Sequence, residues 1–574
     1  MPLVVKNITC NSKKVSKPWI TSAIKKSIKT KHKLYTKAVT SKYGQTETTK
    51  YRKYRNILTT VLKKAEKFYY AEQFSKYHSD SSKTWEIIND LIGNNRGKSK
   101  SQPDKLKLDV GGDTHICTKP GEITEAFNNF FVNIGSSLAS KIDKTESNYS
   151  DYLSGSHSSS FFLLPTTIEE VSMLLRNMDL SKSPGYDNLP ARLLSGAANS
   201  ISKHLCHIFN LSFEQGKFPT ALKVAKVTPL FKKGSTDIPG NYRPISVLPL
   251  ISKILEKIVN KQLKYYLEKK GILYKHQYGF RSKYSTKLSL IHLINNLIHQ
   301  IDSGKASIGI VIDFAKAFDT INHDILLRKM EHYGIRGLPN QWFENYLYDR
   351  SQFVYSTGIS SQRLPILCGV PQGSVLGPTL FLLYINDLPN STDFFEFRLF
   401  ADDSNLFHSF PPGVCIDLCM VNTHLNDVVK WCQANKLTIN CSKTNYIIFS
   451  GRRASPSVTG SLSIKTNVID EVESATFVGI EIDKHLTWKN HISKINSIIR
   501  RKTGILLKLR RSIPRHILLL LYRSLIEPHI TYGLEVWGST YPSHLTSIHS
   551  AQKLIAKIVT FSDFSAPSSP LFKN

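Results

Sequence analysis

One short segment constrains the fold of this chain more than any other. Residues Ser307–Phe318 read SIGIVIDFAKAF, so an apolar run of β type leads directly into Asp313, and a helix-type sequence follows. A carboxylate at the end of a buried strand lies where the core opens to solvent, and Mg2+ prefers oxygen ligands of this kind. A single Asp could equally cap the helix that follows, so this segment alone leaves both interpretations open.

A second carboxylate pattern follows further along the chain. Arg398–Phe407 reads RLFADDSNLF, two apolar arms around a short polar turn, which predicts a β-hairpin with Asp402 and Asp403 at its tip. Adjacent carboxylates repel each other, and a cation between them relieves the repulsion. An isolated Asp–Asp pair in a turn is usually only solvated. In combination with Asp313, the pair suits a site in which two metal ions support phosphoryl transfer.

A glycine- and proline-rich loop lies between these two patterns. Gly369–Pro378 reads GVPQGSVLGP and precedes an apolar helix at 380–385. Its glycines allow backbone to approach a ligand closely, and Gln372 adds an amide that can touch a nucleotide. The alternative is an ordinary tight turn, which does not require so specific a string.

The rest of the sequence predicts a mixed core between two helical flanks. From about 165 to 480, helical stretches such as 249–270 alternate with short β-type runs, which indicates an α/β or α+β core. Apolar residues at helical spacing among lysines predict helices over 18–95 and again beyond 485.

Two segments of the N-terminal half lack such periodicity. Residues 93–120 are rich in Gly, Lys and Ser and are predicted to be a loop. Residues 144–160 are rich in Ser and poor in apolar residues, which predicts a linker.

The positive charge of the chain is concentrated at its two ends. The 574 residues carry a formal net charge of +32; residues 1–100 contain 23 Lys and Arg against 6 Asp and Glu, and residues 485–574 contain 13 against 3. Basic flanks around a nearly neutral middle favour a polyanionic partner such as nucleic acid. The alternative is a charge excess that only keeps the chain in solution.

Composition also excludes several classes. The start, MPLVVKNITC, is not a secretory signal, and the most apolar run, near 517–522, is far shorter than the roughly 20 residues of a membrane helix. The eight cysteines form no regular framework, and the spacing of Cys415, Cys419, Cys432 and Cys441 fits no common zinc site. We therefore expect an intracellular protein with reduced thiols and no membrane partner, in the nucleus or the cytoplasm.

The three segments, in this order, resemble the reverse transcriptases of non-LTR (LINE-type, jockey-like) retrotransposons. The resemblance extends to VTPLFKKGSTDIPGNYRPISVLPLISKILEK (227–257) and HQYGFRSKYST (276–286), which are similar to fingers motifs. NKLTINCSKTNYIIF (435–449) is similar to the lysine-bearing motif after the palm hairpin, and FVGIEIDKHLTWKNHI (477–492) to the segment that joins palm and thumb. The stretches KPWITSAIKKSIKTKHKLY and SKTWEIINDLIG are similar to the region that precedes such polymerases.

The resemblance implies a metal-dependent site. Asp313 and Asp402 would be metal ligands, Asp403 would complete the site, and the backbone carbonyl of Phe314 would contact one ion. The cofactor would be two Mg2+ ions, with Mn2+ able to substitute. One ion would activate the primer 3′-hydroxyl, and the other would hold the triphosphate. Lys443 would protonate the pyrophosphate or balance its charge.

The resemblance also implies how a nucleotide is held. Phe318 matches the aromatic gate that excludes a 2′-hydroxyl, although a purely packed Phe is the alternative. Gln372 and Gly373 would lie under the incoming nucleotide. Arg281 is favoured over Lys232 or Lys233 as the cation that binds the triphosphate, because a guanidinium suits phosphate geometry. Arg243 would serve the fingers structure or the template.

The fold implied is an α+β right-hand polymerase with fingers, an antiparallel-sheet palm, a helical thumb and a basic helical N-terminal extension. We divide the chain into an N-terminal region (1–143), a linker (144–160), fingers and palm (161–484) and a thumb region (485–574). The expected activity is RNA-directed DNA polymerisation, a nucleotidyl transfer in which dNTPs extend a DNA primer on an RNA template. RNA, the primer and the RNA–DNA duplex are the expected partners; the oligomeric state is unknown.

Two features depart from the family pattern. The hairpin tip reads Phe-Ala-Asp-Asp where Tyr is more usual in the first place, and no stretch before residue 227 resembles an endonuclease. We therefore expect a polymerase portion without the nuclease. Two alternatives remain: a maturase-like protein, which would need a further domain after the thumb, and a catalytically silent RNA-binding scaffold derived from such an element.

Overall fold

The computed structural model describes residues 17–41, 44–77, 80–92, 103–110, 113–143, 145–155, 157–454 and 456–572. These residues form two compact units. The first takes its residues from 1–98, 492–534 and 540–574, and the second from 99–491 and 535–539. No helix in these ranges is both long enough and apolar enough to span a membrane.

Helices and strands are numbered in chain order. The helices are α1 (Ser22–Thr40), α2 (Gln45–Lys76), α3 (Ser81–Ile92), α4 (Pro120–Ser140), α5 (Ile168–Arg176), α6 (Ala191–Gly196), α7 (Ala198–Gln215), α8 (Leu250–Lys269), α9 (Thr286–Asp302), α10 (His323–His332), α11 (Leu338–Leu347), α12 (Gly377–Ile385), α13 (Leu418–Ala434), α14 (Lys489–Leu509), α15 (Arg515–Leu525), α16 (Glu527–Thr531), α17 (Leu534–Trp537) and α18 (Pro542–Val559). The strands are β1 (Leu106–Val110), β2 (Asp113–Cys117), β3 (Val224–Phe231), β4 (Tyr242–Val247), β5 (Ala306–Ile312), β6 (Arg350–Ser356), β7 (Ile359–Ser360), β8 (Leu364–Ile366), β9 (Glu396–Phe400), β10 (Asp403–Phe410), β11 (Ile416–Asp417), β12 (Asn445–Phe449), β13 (Val458–Thr459), β14 (Ser463–Ile464), β15 (Asn467–Val468), β16 (Asp470–Glu471), β17 (Ser474–Phe477) and β18 (Ile480–Asp483).

The first unit is helical and basic, as the sequence predicted. Thr21 caps α1 by accepting a hydrogen bond from the Ile24 amide, and α1 packs against α2. Trp19 lies 5.2 Å, centroid to centroid, from the ring of Tyr70, which anchors the start of the helical pair. Lysines and arginines of α1 and α2 cover the faces turned to solvent.

A five-stranded sheet forms the centre of the second unit, in the order β16-β12-β5-β10-β9. β5 is antiparallel to both β10 and β12, β10 is antiparallel to β9, and only the outer β12–β16 pair is parallel. Isoleucines of β5 (308, 310 and 312) are fully buried and pack in one core with the apolar helix α12. The α+β class predicted from the sequence is confirmed.

A second five-stranded sheet has the order β4-β3-β6-β7, with β8 paired to β6. β3 is antiparallel to β4 and parallel to β6. Helix α4 covers this sheet, and Phe127 of α4 meets the ring of Tyr242 of β4 at 4.8 Å. The N-terminal region predicted as 1–143 is therefore divided, because α4 is part of the second unit.

Two sequence predictions in the N-terminal half differ from the structure. Within 93–120, predicted as a loop, β1 and β2 form an antiparallel hairpin, because Leu106 and Cys117 are paired and buried in the apolar core under α4; residues 93–102 and 111–112 lie outside the described residues. Within 144–160, predicted as a linker, residues 149–152 form a 3-10 turn. It is capped by Asn148, and its tyrosines pack on the core.

Candidate active site

The end of strand β5 fixes the first carboxylate. The main chain of Asp313 is held from both sides, since its carbonyl accepts from the amide of Asn440 at 2.8 Å and its amide donates to Thr444 Oγ1 at 3.5 Å. Its carboxylate oxygen Oδ2 accepts from Lys443 Nζ at 2.8 Å and from Asn440 Nδ2 at 3.1 Å. The segment 440–444 therefore sets the position and orientation of Asp313.

The β9–β10 hairpin brings the other two carboxylates to the same place. Asp403 pairs with Phe400 across the hairpin, and Ser404 pairs with Ile312 of β5. Asp403 thus lies next to the end of β5, level with Asp313. The β-hairpin predicted from the sequence is confirmed; its turn residues are Ala401, in the left-handed region at φ 55°, and Asp402, and Asp403 is the first residue of β10.

Gln277 stabilises this turn by hydrogen bonds, and no sequence pattern had indicated this role of Gln277. Its buried Oε1 accepts hydrogen bonds from the amides of Ala401 at 3.0 Å and of Gly279 at 2.9 Å. A Cβ at Gly279 would lie only 2.5 Å from the nitrogen of Ala401, so this close approach requires glycine. The contact joins residues more than a hundred positions apart, which is why local patterns miss it.

Two of the three carboxylates, those of Asp402 and Asp403, have raised pKa values. Desolvation, reinforced by the negative charge of Asp313, raises the pKa of Asp402. Desolvation, together with the charges of Asp402 and Asp313, raises the pKa of Asp403 to about 6. Because these carboxylates lie close together and are partly desolvated, a cation bound between them is favoured.

A cavity of about 620 Å³ lies beside these carboxylates. It gathers seven of the residues predicted from the sequence: Asp313, Phe314, Phe318, Gln372, Gly373, Asp402 and Lys443. Asp403 is not among the described residues that line the cavity; it lies at the adjoining start of β10.

Several cations line the same cavity. Lys232, Lys233 and Arg243 come from β4 and the β3–β4 connection, and Lys316 follows β5. Desolvation and the positive charges of Arg243 and Lys443 lower the pKa of Lys232. Lys316 Nζ donates to the carbonyls of Gly240 at 3.0 Å and Tyr242 at 3.1 Å, which ties the two walls of the cavity together. Such a wall of cations suits a polyphosphate.

The structure does not bring Arg281 to this cavity. Its guanidinium forms two hydrogen bonds with the carboxylate of Glu268, at 3.0 and 2.8 Å, and a third with the carbonyl of Tyr274 at 3.0 Å. It also lies 4.1 Å from the ring centroid of Tyr284. These contacts engage its guanidinium, and the cavity is lined instead by other cations, among them Lys232, Lys233 and Arg243.

Phe318, Phe314 and Gly373 line the cavity in different ways. Phe318 is partly buried and stacks on Phe381 of α12 with centroids 4.6 Å apart, so it is both a cavity wall and a packed aromatic. Phe314 is buried, and its backbone is bridged to Ile439. Gly373 has φ 127°, and a Cβ there would lie 2.5 Å from the carbonyl oxygen of Ser246, so the loop approaches β4 as closely as its glycines allow.

Gln372 has a partner that the sequence did not suggest. Its Nε2 lies 2.8 Å from each carboxylate oxygen of Asp319, the residue after Phe318. Asp319 therefore contacts a lining residue of the cavity, although it is not itself among the described residues that line it.

The carboxylates of Asp313, Asp402 and Asp403 offer the oxygen donors that a hard divalent cation prefers, and desolvation raises the pKa values of Asp402 and Asp403. The structure does not present a complete ligand cage. Among the described residues, no group of three or more His, Cys, Asp or Glu is arranged to hold a metal ion. Lys443 instead provides the positive charge at Asp313.

The carboxylates at one end of the sheet, with the cation-lined cavity beside them, lie in a reverse transcriptase domain. Residues 231–482 match the family model described as "Reverse transcriptase (RNA-dependent DNA polymerase)", and this range contains all the predicted site residues.

The relatives are proteins of non-LTR retrotransposons. The chain is 30% identical over 419 residues to the "RNA-directed DNA polymerase from mobile element jockey" of Drosophila melanogaster, an alignment that covers 70% of this chain and 44% of the relative. It is 27% identical over 407 residues to the "Probable RNA-directed DNA polymerase from transposon X-element" of the same species, covering 68% of this chain and 43% of the relative. The chain spans less than half the length of these relatives. The resemblance noted in the sequence is confirmed.

Proposed function

We propose that this chain is an RNA-directed DNA polymerase of a non-LTR retrotransposon, which extends a primer 3′-end with dNTPs on an RNA template. The observation that carries the proposal is the single cavity that brings Asp313 and Asp402 together with Phe318, Gln372 and a wall of cations. The similarity to the RNA-directed DNA polymerase from mobile element jockey supports the same activity.

The proposal includes a right-hand arrangement. The β16-β12-β5-β10-β9 sheet would be the palm, since its strand ends carry the carboxylates. The sheet of β3 and β4, with α8, would belong to the fingers, within 161–484. The helices from 485 onward would be the thumb, and the basic helices of 1–143 an N-terminal extension preceding the linker at 144–160.

Asp313, Asp402 and Asp403 would hold two Mg2+ ions, for which Mn2+ can substitute. Bound there, the ions would activate the primer hydroxyl and neutralise the triphosphate. Lys443 donates a hydrogen bond to Asp313. It would protonate the leaving pyrophosphate or balance its charge. Lys232, Lys233 and Arg243 would bind the phosphates from the opposite wall, in place of Arg281.

Phe318 is the proposed sugar gate, since its ring borders the cavity and is braced by Phe381. Replacing Phe318 with Ala should raise ribonucleotide incorporation relative to deoxynucleotide incorporation, because the opening would admit a 2′-hydroxyl. The ratio of the two kcat/KM values measures this. An unchanged ratio in a folded variant would show that Phe318 only packs against its neighbours and does not select the sugar.

The basic helices α1 and α2 are the proposed nucleic-acid surface of the first unit. Their lysines and arginines are mostly exposed, and acidic residues are few along both helices. Phosphate contacts of this kind release counterions, so binding should weaken steeply with salt.

Primer extension on an RNA template with Mg2+ tests the proposal. The wild-type protein is compared with Asp402→Ala and with Asp427→Ala as a matched control, because Asp427 lies on α13, is partly exposed and forms an ion pair with Lys430 one turn away. Wild type and control should extend the primer, and Asp402→Ala should not. No extension by folded wild-type protein that still binds RNA would favour the silent scaffold; equal extension by all three would refute the carboxylate site.

A further inference from the structure

A second cavity, of about 180 Å³, is lined by α13, the β14–β15 hairpin, the two residues after α4 and the chain that follows α13. Its buried lining residues include Val429, Leu437 and Ile464, which are apolar. Cys432 is also buried there, and burial raises the pKa of its thiol, so the thiol stays neutral at neutral pH and packs like a small apolar group. An apolar cavity of about 150 Å³ is large enough to bind benzene, so this one can take a group of similar size.

The exposed lining residues mark the opening of this cavity and give it a positive charge. Lys141, Lys465 and Asn467 are exposed, and the described lining includes two lysines but no Asp or Glu. Lys465 Nζ pairs with Asp143 at 2.6 Å, and both side chains of this pair are exposed. Exposed pairs are weak, so the carboxylate of a ligand can take the place of Asp143. The opening therefore favours an anionic group.

The chain that follows α13 belongs to both cavities, and we call residues 437–443 the shared segment. Its Thr438, Ile439 and Cys441 line the second cavity, whereas its Asn440 and Lys443 line the cavity beside the carboxylates. A molecule in the second cavity thus packs against the same stretch of backbone that borders the first.

The shared segment also fixes the end of β5. The carbonyl of Thr438 accepts from the amide of Ala315 at 2.9 Å, and the amide of Asn440 donates to the carbonyl of Asp313 at 2.8 Å. Asn440 Nδ2 donates to the carboxylate of the same Asp313 at 3.1 Å. A ligand that holds the shared segment in place therefore also holds Asp313 in place.

The arrangement that such a ligand would stabilise is one in which Asp313 already has a cationic partner. Lys443 Nζ donates to Asp313 Oδ2 at 2.8 Å. A divalent cation at Asp313 has to displace this lysine, which requires the shared segment to shift or Lys443 to turn away. A ligand that prefers the present arrangement shifts the equilibrium toward it and so opposes the cation.

We propose that the second cavity binds a small monocarboxylate with an apolar body of about the size of one benzene ring, and that this ligand weakens the binding of a divalent cation at Asp313. The body lies among the apolar side chains, and the carboxylate lies at Lys141 and Lys465. The ligand site rests on the cavity alone, whereas its effect on the cation rests on the proposed function.

Fluorine NMR with 4-fluorobenzoate tests the site on protein without metal or nucleic acid. Wild type should bind this probe more tightly than 4-fluorobenzyl alcohol, which has the same body without the charge. Lys465→Ala should weaken the binding of 4-fluorobenzoate by about two- to fivefold, the range of an exposed ion pair, and leave that of the alcohol unchanged. Lys430→Ala, which removes an exposed lysine of α13 outside the lining, is the matched control and should bind like wild type. Equal binding of the two probes, or no binding of 4-fluorobenzoate, would overturn the site.

A cavity-filling variant and a labelling experiment locate the ligand. Val429→Phe should abolish the binding of 4-fluorobenzoate, and undiminished binding by this variant would refute the assignment. Should Val429→Phe not fold, alkylation of wild type by iodoacetamide decides, with each cysteine followed by peptide mass spectrometry. The probe should slow alkylation of Cys441 and leave that of Cys415, which is exposed and outside the lining, unchanged. Equal rates at Cys441 with and without the probe would place the ligand elsewhere.

The link to Asp313 is measured by adding Mg2+ to the same binding experiment. Mg2+ should weaken the binding of 4-fluorobenzoate to wild type by about fivefold or more, the range of a typical coupling between sites, and should have no effect in Asp313→Asn. The probe should correspondingly raise the Mg2+ concentration needed for half-maximal primer extension. Should wild type not extend a primer, the effect of Mg2+ on probe binding still measures the coupling without turnover. An affinity for the probe that Mg2+ leaves unchanged, or changes equally in Asp313→Asn, would overturn it.

Discussion

Lys329–Asp387 and Lys443–Asp313 are both ammonium–carboxylate pairs, yet their surroundings are opposite. The side chains of the first pair are 0% and 2% exposed, and those of the second 48% and 38%. Lys329 also donates to the carbonyl of Tyr384 at 2.7 Å, and Asp387 accepts from Trp431 Nε1 at 3.2 Å. The second pair is partly exposed and borders the cavity.

The first pair is therefore needed for the stability of the fold. In the second pair, another cation can take the place of the lysine. The charges of Lys329 and Asp387 have left water completely, so each depends on the other. Lys443 and Asp313 keep much of their hydration, so their attraction contributes little to stability and another cation can replace the lysine. The same chemistry therefore serves structure in the core and function at the cavity.

Replacing Lys329 with Met should give the largest change in stability. The variant leaves Asp387 buried without its counter-charge, which should lower the free energy of unfolding by about 3–5 kcal/mol. Urea denaturation followed by circular dichroism measures it. The double variant with Asp387→Leu should recover much of the lost free energy of unfolding. A Lys329→Met variant as stable as wild type would show that the buried pair is not needed for stability.

Replacing Asp313 with Asn should give the largest change in activity. The amide cannot supply the negative charge that the proposed ions need, so primer extension should fall by about 100-fold or more. Its unfolding midpoint in urea should match or exceed that of wild type, because repulsion with Asp402 and Asp403 is relieved. A variant that loses activity only because it unfolds would contradict the assignment.

The carboxylates at the cavity should make the protein more stable, but less active, as the pH falls. The pKa of Asp403 is about 6 in the folded chain, against an ordinary value of 3.8, so the folded state binds the extra proton between these values. Its contribution to stability therefore grows as pH falls through 6, while protonation weakens cation binding. Extension at fixed Mg2+ should decline as the pH is lowered from well above this pKa to below it. The stability trend over this range should be smaller in Asp403→Asn than in wild type; identical trends would place the titration elsewhere.

Replacing Lys443 with Met should give the smallest change in stability. The pair is exposed, so less than about 1 kcal/mol should be lost, in contrast to Lys329→Met. The rate of extension should nevertheless fall, because the lysine faces the proposed leaving group. Parallel urea titrations and single-turnover kinetics check both. A loss of stability as large as that of Lys329→Met would erase the distinction between the two pairs.

Local patterns were sufficient for the carboxylates. Asp313 follows an uninterrupted apolar strand, and Asp402 and Asp403 lie between two apolar arms, so the strand and hairpin could be predicted from a few residues each. The loop at 369–378 was also visible, because its glycines and prolines are local constraints on the backbone.

Partners distant in sequence could not be predicted in this way. Arg281 has the chemistry of a phosphate ligand, but its pairing with Glu268 depends on how α8 meets the segment after it. Gln277 and Asp319 resemble ordinary polar residues until folding places them under Ala401 and Gln372. The hairpin of β1 and β2 was missed because the Gly-, Lys- and Ser-rich composition of 93–120 predicted a loop.

The most direct test of the central claim is templated incorporation of one nucleotide. Wild-type protein with Mg2+ and a primed RNA is offered each dNTP singly, while the template base is changed in turn through all four. The account predicts that only the complementary dNTP is added each time, and that Asp402→Ala adds none while remaining folded. Addition that ignores the template base, or undiminished addition by Asp402→Ala, would contradict it.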